Sequence, residues 1–165
     1  PAMPAGVKSK ENVVYSKIGD RKLLADVYYP ARKTKQGYPA VVMIFGGGWK
    51  SGDKSQNVPI AQQLAAKGYV AITIEYRLSP EAQYPAAVYD VKAAIRWLRA
   101  KAKKYNVDKS KIATLGMSAG GQLAALVGTT NGIAKFVRVA CSSLSSSIKT
   151  ASALLCSAIP DASFK

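Results

Sequence analysis

Residues 111–128 read KIATLGMSAGGQLAALVG, and the parse of this stretch decides the fold. Lys111 to Leu115 suits a short strand, and Ala119 to Val127 suits a helix of small residues closed by Gly128. Between them, Gly116-Met117-Ser118-Ala119-Gly120 matches G-x-S-x-G. The chemistry of that pattern needs a tight strand-to-helix turn, which lifts the serine oxygen above the sheet edge. The small residues on either side let the backbone pass closely, and the helix N-terminus favours developing negative charge. A Gly-rich turn with an ordinary capping serine would carry the same letters, so the flanking strand and helix give the motif its weight.

Upstream, Ala40 to Phe45 (AVVMIF) is a continuous apolar run between Pro39 and Gly46, as expected of a strand buried on both faces. It runs into Gly46-Gly47-Gly48-Trp49. Consecutive glycines there free backbone N–H groups to bind an oxyanion. With the Ala119 amide, those of Gly47 and Gly48 would make a three-donor hole about seventy residues ahead of the serine. Tyr69 to Glu75 is another apolar strand, and Val58 to Lys67 fits a helix ended by Gly68. Pro85 to Tyr105 reads as the longest helix, with Val88, Val91, Ile95 and Leu98 on one stripe. Residues 12–18 and 21–29 alternate as two strands around Gly19-Asp20. Strands alternating with helices, led by an antiparallel pair, predict a three-layer α/β domain with a mostly parallel sheet.

The chain has 165 residues, 48% apolar and 20% charged, which suits one domain with a core and excludes wholesale disorder. No apolar run approaches the ~18 residues of a membrane-spanning helix, and no signal peptide is visible, so the compartment stays open. Lys and Arg total 24 against 9 acids, for a net charge of +15. The positive residues are spread along the sequence without interleaved aromatics or a nucleic-acid motif, so a solvated basic surface is expected rather than nucleic-acid binding. Those in the C-terminal half of the long helix also suit its dipole. There is neither a P-loop nor a G-x-G-x-x-G after a strand, and nothing implies a cofactor. Cys141 and Cys156 lack C-x-x-C spacing and no histidine exists to join them, so no metal site is expected; a disulfide between them stays open.

Four blocks in order carry a family resemblance: DVYYP at 26–30, FGGGWKSGD at 45–53, EYRLSPEAQYPAAVYDVKAAIRWLR at 75–99 and GMSAGGQLAAL at 116–126. From about residue 22 to 131 the chain resembles the N-terminal half of an α/β-hydrolase-fold carboxylesterase. The hormone-sensitive-lipase-like and feruloyl- or acetyl-esterase-like group is the nearest. The resemblance implies a nucleophile at Ser118 and an oxyanion hole from the amides of Gly47, Gly48 and Ala119. Gly116, Gly120, Trp49 and Gln122 would form the elbow and its surroundings. It also implies a small-molecule substrate, a short-chain, acetyl or aryl-acyl ester, often on a sugar.

Three positions depart from the pattern. The family usually has His where Phe45 stands and often His at Gln122, and Glu75 replaces a usual Asp before Tyr76-Arg77. Asp53, Arg77 and Asp90 are expected to hold the fold. The fold's triad order is Ser, acid, His, but the sequence has no His, and Asp161, its only acid after Ser118, comes about one strand too early. Residues 133–165 form a compositionally distinct Ser/Ala-rich tail after an N-terminal unit of 1–132. A truncation or a frameshift near Phe136 would produce such a tail. Only five or six strands are expected, with the last one exposed as an edge that invites self-association. The alternatives to an impaired esterase are a non-catalytic binding protein on the same fold and a basic surface protein that binds an anionic polymer.

Overall fold

The computed structural model describes residues 2–131. The segment from 132 to 165, which holds the expected tail with Cys141, Cys156 and Asp161, lies outside the described residues.

Five strands form one sheet: β1 (Val7–Ile18), β2 (Arg21–Pro30), β3 (Tyr38–Ile44), β4 (Val70–Ile74) and β5 (Val107–Gly116), in the spatial order β1-β2-β4-β3-β5. β1 and β2 are an antiparallel hairpin, β2 pairs antiparallel with β4, and β3 lies parallel between β4 and β5. The register sets Ile44 beside Ile74 on one side and beside Gly116 on the other, so the loops after β3, β4 and β5 leave from one end of the sheet.

Helices cover both faces. α1 (Val58–Ala66) packs on one face against Tyr28, Met43 and Ala71. On the other face α2 (Ala86–Ala100) and α4 (Ala119–Thr129) bury Val88, Val91, Leu98, Leu123 and Val127 against Val42, Ile44, Ile72 and Ile74. Alternate residues of β3 and β4 therefore face different helices, which is why both strands are largely apolar, with Thr73 as a buried polar exception. Val70, Ala71, Ile72 and Ile74 are completely buried.

Three boundaries correct the sequence reading. The helix expected over 85–105 is two pieces: α2 ends at Ala100, and after the cap residue Lys101 a single turn, α3 (Ala102–Tyr105), follows it. Asn106 then takes a left-handed φ of 58°, which ends the helix and feeds β5. Gly128 does not close α4, which runs on to Thr129. β1 begins at Val7, earlier than expected, because its first half is a polar sheet edge in which little is buried and apolar alternation is weak.

Loop anchors complete the scaffold. Asp90 on α2 is buried and receives a two-pronged ion pair from Arg77, with Nε 2.9 Å and Nη2 2.8 Å from its oxygens, plus the Arg77 backbone N–H at 2.9 Å. This ties the segment after β4 to the start of α2, the fold-holding role expected of both residues. Glu75 accepts from the Leu24 amide and the Arg21 guanidinium, linking β4 to β2. Asp53 caps the short 3-10 turn at Lys54–Asn57 by accepting from the Ser55 amide at 2.7 Å.

Candidate active site

Ser118 stands between β5 and α4 with φ 52° and ψ −121°. A non-glycine residue at positive φ is strained, and only a surrounding structure that over-determines the turn holds it there. The glycines explain how. A Cβ on Gly116 would meet the Gly120 carbonyl oxygen at 2.1 Å, and one on Gly120 would meet the Ile44 carbonyl oxygen at 2.1 Å. Both clashes are with backbone, so β5, the elbow, α4 and the end of β3 approach more closely than any side chain allows. The elbow is closed by the Gly120 N–H donating to Met117 O at 2.9 Å and the Gln122 N–H donating to Ser118 O at 3.1 Å.

The serine side chain is exposed and makes no capping hydrogen bond, so it is not the ordinary N-cap that the same letters could have meant. Ala119 and Gly120 behind it are buried, while Met117 and Gln122 face solvent. The N-terminus of α4 lies directly under Ser118.

The glycine loop lies alongside. A Cβ on Gly46 would sit 3.3 Å from the Ser118 Cβ, so the loop after β3 touches the elbow after β5. Gly47 (φ 138°) and Gly48 (φ 59°) take conformations that L side chains rarely adopt. The Gly47 carbonyl accepts from the amides of Lys50 and Ser51 at 3.1 Å, curling the loop into a turn. No backbone hydrogen bond takes up the amides of Gly47, Gly48 or Ala119 among the described residues. Trp49, half-exposed at φ 61°, is pinned through its carbonyl, which accepts from Ser79 N–H at 2.8 Å and Ser79 Oγ at 3.0 Å.

Phe45 is buried and stacked on Tyr76, with ring centroids 4.4 Å apart, and the Tyr76 hydroxyl donates to the Phe45 carbonyl at 2.9 Å. Burial pushes the Tyr76 phenol up to about 12, so it stays a donor into the alkaline range. An aromatic stack and a main-chain bond thus hold the start of the loop at Phe45, where the resemblance leads one to expect histidine.

The structure brings Ser118, Ala119, Gly116, Gly120 and the glycine loop together, with Trp49 further along that loop and Gln122 on the first turn of α4. Two anchors escaped the sequence reading. In the sequence Gly46 reads only as the first of a glycine run, and its position directly after an apolar strand is the available signal. Ser79 has no sequence signal, because its partner is a carbonyl in a distant loop. Among the described residues no cluster of His, Cys, Asp and Glu could hold a metal ion.

Comparison with known proteins shows the family. The BD-FAE family model matches residues 25–157. The chain belongs to that family. It is 42% identical over 114 residues to Esterase LipC of Mycobacterium tuberculosis, a match covering 67% of this chain and 28% of that protein. It is 39% identical over 110 residues to an arylesterase of Saccharolobus solfataricus, covering 66% and 35%. Among solved structures, the thermophilic esterase Est2 of Thermogutta terrifontis is 39% identical with a TM-score of 0.64, covering 76% of this chain and 44% of that one. Est2 has also been solved with propionate and with butyrate bound. Esterase B of Lactobacillus rhamnosis superposes with a TM-score of 0.71 at 30% identity, over 81% and 43%. The BD-FAE chain is thus an α/β-hydrolase-fold member of a carboxylesterase group, and it spans about a third of the length of the curated relatives it matches.

Proposed function

We propose that this BD-FAE chain carries the nucleophile and oxyanion hole of a serine carboxylic-ester hydrolase. The observation that supports this most is Ser118 itself: exposed, strained at φ 52°, and packed against a glycine loop in which the Gly47 and Gly48 amides make no backbone hydrogen bond among the described residues. Ser118 Oγ attacks the ester carbonyl, and the amides of Gly47, Gly48 and Ala119 stabilise the tetrahedral oxyanion. The substrate class is a short-chain, acetyl or aryl-acyl ester, carbohydrate esters included. The carboxylates bound by Est2 support the short acyl range.

These 165 residues contain no histidine, so the base that would serve Ser118 is not among them. A serine hydroxyl without a base is a weak nucleophile, and losing the triad's base costs on the order of 10⁶ in rate, leaving ~10³ over water from the hole and binding. The chain alone is therefore an impaired esterase. The missing histidine also favours a second reading, in which the same loop holds an acyl group or carboxylate without turnover.

Hydrolysis of p-nitrophenyl acetate by the chain and by Ser118→Ala separates the two. A difference of tenfold or more supports the esterase reading, and equal rates support the binder.

A further inference from the structure

The parallel strands β3, β4 and β5 all run toward Ser118, so their starts, together with the ends of α1 and α3, form the opposite pole of the domain. That pole is basic. The loop after β2 carries Arg32, Lys33 and Lys35, and the region around the start of β5 carries Lys103, Lys104 and Lys109. These groups are about seventy residues apart in sequence, which is why the charge reads as dispersed. The fold brings them to one pole. Asn106 accepts from the Thr34 amide at 2.8 Å and donates through Nδ2 to the Thr34 carbonyl at 2.9 Å, fastening the two basic segments side by side. The Tyr38 amide donates to Asn106 O at 2.7 Å in the same seam.

All six cations are exposed, and none makes an ion pair among the described residues. The one acid in these segments, Asp108, is already engaged by Ser110 and by Lys111 at 3.5 Å. Helix dipoles account for cations at a helix end, as at Lys103 and Lys104, but not for Arg32, Lys33 and Lys35, which lie on a loop. Unpaired like charges held together repel one another, and an external anion relieves that repulsion.

We propose that this pole is a docking surface for an anionic lipid bilayer. Charge complementarity is the first argument, since a cluster of four to eight Lys and Arg suits such a surface. The second is the company it keeps: Tyr69, at the start of β4, and Met3, ahead of β1, are exposed at the same pole, and both suit the headgroup boundary. Among the described residues Tyr69 is the one exposed aromatic ring at this pole, and α1 and α3 reach it only by their ends, so nucleic acid fits it less well. Docked this way, Ser118 faces the water from the far end of the sheet, roughly 20 Å away along β3.

The test is co-sedimentation with phosphatidylcholine vesicles, pure or containing about a third phosphatidylglycerol. The expected result is binding to the anionic vesicles only, lost at high salt. The variant Lys33→Gln/Lys103→Gln/Lys104→Gln should bind on the order of a hundredfold more weakly. Lys17→Gln/Lys22→Gln, which removes charge from the β1–β2 hairpin at the other pole, should bind as the parent does. No binding to anionic vesicles, equal binding to neutral ones, or equal loss in both variants overturns the proposal. So does tighter binding to duplex DNA or to a polyuronate than to the vesicles. Ser118→Ala leaves this binding unchanged, so the outcome is independent of the esterase reading.

Discussion

Gly46 and Ser118 touch across the ends of two parallel strands: a Cβ on Gly46 would lie 3.3 Å from the Cβ of Ser118 and 2.7 Å from the Met117 carbonyl oxygen. The glycine loop is therefore placed by contact with the elbow itself. Gly46→Ala must push the two apart, because the atom it meets is backbone. Overpacking of this kind costs about 1–3 kcal/mol. The expected outcome is a lowered melting temperature and loss of most Ser118-dependent ester hydrolysis. Unchanged melting and hydrolysis would show that the contact is slack.

Arg77 and Asp90 predict a large, one-sided stability effect. Arg77→Ala leaves the Asp90 carboxylate, 2% exposed, without its ionic partner, and breaking such a buried pair costs roughly 3–5 kcal/mol. Replacing both residues by apolar ones of similar volume should cost less than the single change. Urea unfolding of the two variants checks this, and a double variant less stable than Arg77→Ala would refute it.

The tyrosines predict an alkaline transition. Burial raises Tyr15 well above 10.0, with Asp90 and Glu75 adding to it, and pushes Tyr28 and Tyr76 to about 12. Each phenol stays protonated in the fold at a pH where the unfolded chain has lost the proton. The stability they contribute is complete below pH 10 and is lost as pH rises toward 12. Melting temperature should fall across that window. Tyr76→Phe, which cannot ionise but loses the bond to Phe45, should melt lower at neutral pH and show a shallower fall. An identical pH slope in the variant would contradict this.

Strand β5 pairs only with β3 among the described residues, and Leu115 on it is 43% exposed. An apolar residue on an open strand edge is a site of strand-to-strand association. Sedimentation velocity should show concentration-dependent association of the chain, reduced in Leu115→Lys. A monomer at all concentrations would remove the idea.

Much of the architecture was legible because its signals are local. The apolar run from Ala40 to Phe45 announces a strand buried on both faces, and the G-x-S-x-G letters acquire meaning from the strand and helix around them. Where the reading failed, the cause was tertiary. The break at Lys101 has no proline or glycine to mark it. The first half of β1 is a polar edge, whose pairing comes from β2 and not from its own apolar pattern. The basic pole depends on the Thr34–Asn106 seam, and Ser79 acts on a carbonyl thirty residues away. Contacts between distant backbone atoms leave no periodicity to read.

The central claim is that Ser118 is the nucleophile, and acyl transfer to that oxygen tests it most directly. The chain and Ser118→Ala should be incubated with p-nitrophenyl acetate, digested and mapped by mass spectrometry. p-Nitrophenoxide leaves readily, so acylation tolerates the missing base better than deacylation by water does, and the acetyl ester should accumulate on the peptide holding Ser118, above the background on exposed lysines, and vanish in the variant. Acetylation confined to lysines, equal in both proteins, would contradict the account.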